Sequence, residues 1–305
     1  MAGTDIRLLR VFDVVVRNQS FAAAQSELNV SLSTISSQIS ALELRLGIRL
    51  CERGRGGFRL TERGRHVFEL TRTLLQAIDL FAVDVAEMRG ELVGSLRLGI
   101  VDSVATDPAQ KLDAAIARFA SAIPTVRLEL QQGSPQDFQA WILAGTLDLA
   151  IGSFPSKLRG IEYQPLYSEL NTLYCSCEHP LFGIDRASIS AERLRGLPAV
   201  GRSYWPEDHR NNDLFLNTRA VAQSIEQQLI LIRSGAFIGF LPDHLAQPYV
   251  ARGVLRQLMP ECFSYSCPFD VAFQASRAGS EKLRAFLDVL RQVQPGAAPL
   301  SISVA

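Results

Sequence analysis

The sequence has no apolar run near the ~18–20 residues that a bilayer-spanning helix needs. Asp5, Arg7 and Arg10 break up the N-terminus where a signal peptide would be apolar. A cytoplasmic protein with no membrane partner is therefore expected. Cysteine is sparse: Cys51, Cys175, Cys177, Cys262 and Cys267 are odd in number and follow no framework spacing, which points to reduced thiols. His66, His179, His209 and His244 lack the ligand spacing of a zinc site, so neither metal nor cofactor is expected. No nucleophile–base pair or phosphate loop is legible, which argues against an enzyme. Net charge is lacking too, at a formal +0, but its distribution is uneven. Residues 1–65 hold ten arginines, no lysine and six acidic residues, a net of +4, and the rest carries −4. A positive head on a negative body suits a nucleic-acid module joined to something that does not bind nucleic acid.

What is present begins with Ser20 to Leu46, two helical patterns with almost nothing between them. Ser20 is a good N-cap, Phe21, Ala24 and Leu28 recur on one helix face, and Ala22, Ala23 and Ala24 leave room for a crossing helix. After Asn29-Val30, Ser31 caps a second pattern with Ile35, Ile39, Leu42 and Leu46 on one face, ended by Gly47. The outer face carries Ser33, Thr34, Ser36, Ser37 and Gln38, short uncharged hydrogen-bonding groups where a solvated face would carry Lys and Glu. With Ser31 they suit base edges and phosphates, and the pair reads as a helix-turn-helix with a recognition helix.

Residues 5–17 supply a first helix with Ile6, Leu9, Phe12, Val15 and Val16 inward. Cys51 to Thr61 reads as a hairpin with a glycine-rich tip, whose Arg53, Arg55 and Arg59 reach DNA; a solvated basic turn is the alternative. Thr61 caps a long helix to about Arg89, in which Val67, Leu70, Leu74, Ile78, Phe81, Val85 and Met88 form a nearly continuous seam. The seam either packs on its own domain or, as the stronger reading, pairs in a homodimer, with two recognition helices one or more DNA turns apart on an interrupted inverted repeat. The boundaries are a winged helix-turn-helix domain over 1–61, a linker helix over 62–90 and a further domain over 91–294, with a loose tail over 295–305.

In 91–294 the periodicity changes. Leu96, Leu98 and Ile100 alternate as a strand, Asp107-Pro108 opens a helix with Leu112, Ile116 and Phe119 inward, and Val126, Leu128 and Leu130 make the next strand. Ser134-Pro135 opens another helix, and Leu147 to Ile151 is a short buried strand. This βαβαβ order implies a parallel sheet with right-handed crossovers. A second set runs from about Tyr167: strands at Leu173–Cys177, Ala199-Val200 and Phe237–Leu241, helices at Ser190–Arg195 and Gln223–Arg233. A strand at Phe269, Val271 and Phe273 and a helix from Ser280 to Val293 return to the first set. The fold class is α/β with an all-α winged head, and the body is two lobes, about 91–165 with 267–294, and about 166–266.

Residues 5–65 resemble the N-terminal domain of the LysR-type transcriptional regulators, and the remainder resembles that family's effector domain in order and length. The likeness rests on Ser20-Phe21, Ala23-Ala24, Leu28, Ser36, Gln38-Ile39, Leu42-Glu43 and Leu46-Gly47, then Leu50, Arg53, Leu60-Thr61 and Gly64. Cys51 departs from the family's usual Phe, and Leu32 from its usual polar residue. The resemblance implies a body like the periplasmic solute-binding proteins, a small-molecule effector, double-stranded DNA and a homodimer as partners, with a homotetramer and RNA polymerase left open.

In an open α/β sheet the ligand lies beyond the carboxyl ends of the strands. Ser103, Ser134, Ser153, Arg202 and Ser203 fall there and suit a small organic acid or other oxyanion; each serine also reads as a plain cap or turn, and Arg202 as a surface ion pair. Tyr204, Trp205 and Phe237 offer a wall for an apolar ligand, or core packing. Cys175 and Cys177 are expected on one strand face, and Cys262 and Cys267 within bridging reach; a thiol redox sensor is one alternative function. A solute-binding or enzymatic α/β protein with a helical oligomerisation head is another, and an architectural DNA protein whose body only oligomerises a third.

Overall fold

The computed structural model describes residues 3–54, 57–87, 89, 92–203 and 217–294. Capping chemistry sets the first three helices: α1 (Gly3–Arg17), α2 (Phe21–Leu28) and α3 (Leu32–Leu46). The Ser20 hydroxyl accepts from the Ala23 amide, and Asn29 ends α2 in the left-handed region at φ 51°. Ser31 accepts from the Thr34 amide, and Gly47, at φ 66°, ends α3. Their core is Phe12, Val15, Ala24, Ile35, Ile39 and Leu42. The buried stripe of α1 is wider than anticipated, adding Leu8, Val11 and Val14, because α1 packs against both α3 and the long helix below. Only Ala24 of the three alanines is buried. Leu46 is 38% exposed rather than inward, since the last turn of α3 meets α1 through the Arg45–Asp5 ion pair instead.

The hairpin follows as β1 (Cys51–Gly54) and β2 (Gly57–Leu60), antiparallel, with Phe58 edge-on to Phe21 at 5.6 Å. The carboxylate of Glu43 anchors it, accepting from the Leu50 amide at 2.8 Å and the Cys51 amide at 3.2 Å. Then α4 (Glu62–Glu87) begins, its Thr61 hydroxyl accepting from the Gly64 amide and donating to the Arg49 carbonyl. The expected single seam is in fact two stripes. Val67, Phe68 and Leu74 join the head core, with Thr71 and Leu75 buried beside them, whereas Leu70 and Phe81 are 58% and 70% exposed. The short helices of the head cover one side of α4 and leave the other bare. Met88 lies outside the described residues.

The chain divides into two compact units, Met1–Arg89 and Gly90–Ala305. The second opens with β3 (Gly94–Ile100), α5 (Leu112–Ala122), β4 (Val126–Gln132), α6 (Pro135–Leu143) and β5 (Leu149–Gly152). The strands run parallel in the order β4-β3-β5. The helix expected at Asp107 starts later, at Leu112, because Val104–Thr106 form a tight helical turn first. Leu130 is 54% exposed, being on an edge strand.

The chain then runs through β6 (Ile161–Ser176), α7 (Ala191–Gly196), β7 (Pro198–Arg202), β8 (Asn217–Ala222), α8 (Ile225–Arg233) and β9 (Ile238–Pro242). It closes with α9 (Asp243–Ala251), β10 (Leu255–Gln257), β11 (Ser264–Gln274) and α10 (Glu281–Val293). The sheet order is β4-β3-β5-β11-β6-β9-β7-β8, with β10 also on β6. Thus β6 and β11, paired antiparallel from Ile161↔Gln274 to Thr172↔Ser264, pass from one lobe into the other. Ile161, Leu166, Phe269 and Phe273 pack with Phe119 and Phe286 in the first core, and Leu173, Cys175 and Phe263 in the second. The strand read at Leu173–Cys177 is the far end of this long ribbon. Cys175 is buried on it, and Cys177 is exposed just past its end. No helix among the described residues is long and apolar enough to cross a membrane.

Candidate functional site

The head presents the start of α3. Ser31, Ser33, Thr34 and Ser37 are exposed there, and the Ser31 hydroxyl lies 2.9 Å from that of Ser33 and 2.8 Å from that of Thr34. These hydroxyls and the free amides of the first turn form one hydrogen-bonding surface at the positive end of a helix. Ser36 is half-buried. So is Gln38, whose carbonyl oxygen is buried without a partner, which weakens its reading as a probe of base edges. Arg59 is exposed on β2 opposite Glu52. The side chain of Arg53, and Arg55 as a whole, lie outside the described residues.

In the body, the cleft lies at the carboxyl ends of β3, β5 and β7, as strand order requires. Asp102, directly after Val101 at the end of β3, is its central group. One carboxylate oxygen accepts from the Arg202 guanidinium at 2.8 Å, and the other from the backbone amide of Ile225, the first residue of α8. The pair is well buried, with 15% and 8% of the two side chains exposed. Ser103 follows at φ 64°, its hydroxyl buried without a partner. A cavity beside the pair is lined by Asp102, Arg202, Ser153, Glu169, Asn171 and Tyr265, among others. An open groove sharing Asp102 holds Ser134, Ser203, Ser224 and Gln227.

The structure therefore brings Ser153 and Arg202 together, and Ser134 and Ser203 next door. Arg202 is held by a buried carboxylate rather than at the surface, and Ser134 forms a reciprocal cap with Asp137, Oγ to Oδ2 at 2.6 Å. Ser153 is buried and hydrogen-bonds the Cys267 thiol, whose pKa burial pushes up to about 11. Phe237 is half-buried and packs in the second lobe's core, and Tyr204 and Trp205 lie outside the described residues. Asp102 was missed in sequence although it immediately precedes Ser103.

Residues 6–65 match the model of the bacterial regulatory helix-turn-helix protein, lysR family, and residues 89–295 match the LysR substrate binding domain. The chain is 38% identical over 287 residues to the HTH-type transcriptional activator BauR of Pseudomonas aeruginosa, covering 94% of each. It is 34% identical to a probable hydrogen peroxide-inducible genes activator of Mycobacterium xenopi, over 57% of this chain and 91% of that one. Among solved structures it shares its fold with CbnR, a LysR family transcriptional regulator, at TM-score 0.65 and 20% identity, covering 96% of this chain and 99% of that one. Full-length CbnR complexed with its target DNA aligns at TM-score 0.63 and 22% identity, over 96% and 100%. With head and body both matched, the chain belongs to the LysR family of transcriptional regulators.

Proposed function

We propose that this regulator binds double-stranded DNA as a homodimer at an interrupted inverted repeat, and that a small organic acid or other oxyanion seated in the cleft sets its activity. Asp102 carries the effector half of this reading. Its carboxylate already occupies the place an incoming carboxylate would want, taking a guanidinium and the first amide of a helix together. An effector acid competes with Asp102 for Arg202 and adds the Ser103 hydroxyl, which lacks a partner. Exchanging an internal carboxylate for an external one alters how the β3 and β7 strand ends are tied, and so biases the lobes. The DNA half is supported by the exposed hydroxyls of Ser31, Ser33, Thr34 and Ser37 and by Arg59, with Leu70 and Phe81 as the dimer seam. On this reading its place of action is the cytoplasm.

The test is fluorescence anisotropy on DNA from just upstream of the protein's own gene, against random DNA, across a salt series. Preference for the upstream DNA that shifts with one member of a panel of small carboxylates is expected. Equal weak binding to both, with a steep salt slope, would leave only backbone attraction. Saturating acids that bind the cleft without changing DNA affinity would remove the switching half.

The peroxide-inducible relatives give a second reading, a thiol sensor. Cys175 and Cys267 argue against it, since burial holds both thiols up at about 11, away from the reactive thiolate. Only Cys177 and Cys262 among the five are exposed, and peroxide sensitivity of DNA binding that is lost in C177S or C262S would favour it.

A further inference from the structure

Adjoining the cleft, and sharing Glu169 with the cavity beside its ion pair, three side chains distant in sequence converge: Asp107 after the turn that follows β3, Glu169 on β6 and His244 in the first turn of α9. His244 Nε2 lies 3.0 Å from Glu169 Oε2 and 3.8 Å from Asp107 Oδ2, and the three side chains are 8%, 7% and 5% exposed. The outer contacts are already arranged. Glu169 Oε1 accepts from the Asn171 amide at 2.8 Å, and Asp107 Oδ1 accepts from the Ala109 backbone amide at 2.8 Å. Asp107 Oδ2, turned toward His244, is buried with no hydrogen-bond partner. Neither carboxylate is paired with a lysine or arginine among the described residues.

The imidazole tautomer sharpens the point. The Thr106 hydroxyl donates to the Ser103 carbonyl at 2.9 Å, so at 3.0 Å from His244 Nδ1 it is left to accept the Nδ1 proton. Nε2 of the neutral ring then presents a lone pair to two carboxylate oxygens. The opposite tautomer would cost Thr106 its bond to Ser103. Something positive is required between Nε2, Oε2 and Oδ2, and a single proton there still leaves one buried negative charge in excess.

We propose that Asp107, Glu169 and His244 bind one first-row divalent cation, with Thr106 and Asn171 orienting the imidazole and a carboxylate from behind. One imidazole nitrogen and two carboxylate oxygens suit zinc or manganese, and a histidine whose other ring nitrogen donates to a fixed acceptor is the usual supporting arrangement. Two carboxylates and a dication also bring the cluster to neutrality. The Tyr167 hydroxyl, two residues before Glu169 on β6, is also buried without a partner. Because Asp107 lies beyond β3 in one lobe, His244 lies on α9 in the other and Glu169 sits on the connecting β6, the cation would tie the lobes at their hinge. The proposal does not depend on which effector fills the cleft.

The test uses the tag-free full-length chain, stripped with a chelator, titrated separately with Zn²⁺ and Mn²⁺ by calorimetry and followed by thermal unfolding. About one equivalent per chain, with a raised unfolding temperature, is expected for at least one of the two ions. His244→Gln and Asp107→Asn should each weaken that binding by about 10–100-fold and lose the thermal shift, while the exposed His66→Gln should change neither. If His244→Gln does not fold, Asp107→Asn decides, since it removes only charge. Failure of both ions to bind stoichiometrically, or binding that survives in Asp107→Asn and in every folded variant of His244, would overturn the site and leave an imidazolium in its place.

Discussion

Single side chains decide the chemistry of the cleft, and Asp102 is the most informative of them. If its carboxylate stands where an effector's would, Asp102→Asn removes the charge that competes for Arg202 without changing the shape of the site. A charge-assisted hydrogen bond exceeds a neutral one by roughly 1–1.5 kcal/mol, so small carboxylates should bind about tenfold tighter to D102N. Arg202→Ala should abolish that binding, and Arg202→Lys should recover only part of it, because a point charge lacks the guanidinium fork. Isothermal titration with a single responsive acid measures all three, and an unchanged affinity in D102N would refute competition between the two carboxylates. At the head, Arg59→Ala should weaken binding to operator and random DNA alike and lower the salt slope by about one. A loss confined to the operator would instead make Arg59 a reader of bases.

Between elements, two seams have outcomes that run against simple propensity. Alanine favours a helix over glycine by about 1 kcal/mol, yet a Cβ on Gly64 in α4 would stand 1.9 Å from the Leu50 carbonyl oxygen. Backbone cannot yield that far without unseating β1, so Gly64→Ala should destabilise the head by about 3 kcal/mol, read as a lower unfolding temperature. The second seam is Asp148, which joins β3, β5 and the turn after β11. It accepts from the Arg97 amide at 2.8 Å and from the Arg97 and Arg277 guanidiniums at 3.1 and 2.8 Å. Burial alone would raise its pKa, but Arg97 and then Arg277 outweigh burial and leave it below the ordinary carboxylate range. A depressed folded-state pKa means stability present above the unfolded value of about 3.9 and lost as pH falls through the folded one. Asp148→Asn should therefore cost about 3–5 kcal/mol at pH 7, and its deficit against the parent should shrink in acid below about pH 4. A deficit independent of pH would point to packing rather than charge. What was legible in sequence divides along the same line. Caps are local, so Ser20, Ser31, Thr61 and Ser134 announced helix starts that the fold keeps. Strand pairing is not local. Pro165 and Pro268 masked the length of the β6–β11 ribbon, Pro248 hid α9 inside a helix, and no spacing could reveal that Asp102 meets Arg202 or that Asp107 and Glu169 meet His244.

Across the whole molecule, the question is why a regulator with a modest positive head should bind one site tightly. One recognition helix and one wing contact only a few base pairs, and the head's excess charge is only +4. Linking two heads changes the arithmetic, because the second contact becomes intramolecular and avidity can exceed a single affinity by roughly 10²–10⁴ without new contacts. On the proposed reading, α4 is the device for linking. The face that holds Val67, Thr71 and Leu75 is already committed to the head core, whereas Leu70 and Phe81 lie about a quarter-turn round the helix at 58% and 70% exposure. Large apolar side chains on the bare face of a long helix, three turns apart, are the pattern of a helix that pairs with a copy of itself. Phe81→Asp and Leu70→Asp should each shift the protein toward monomer in sedimentation velocity while leaving the head folded, since neither residue belongs to its core. The same variants should raise the operator midpoint by about 10²-fold or more, yet change binding to a half-site little. A variant that stays dimeric and keeps operator affinity would mean that self-association runs through the body instead, and would leave the bare face of α4 free for a different protein.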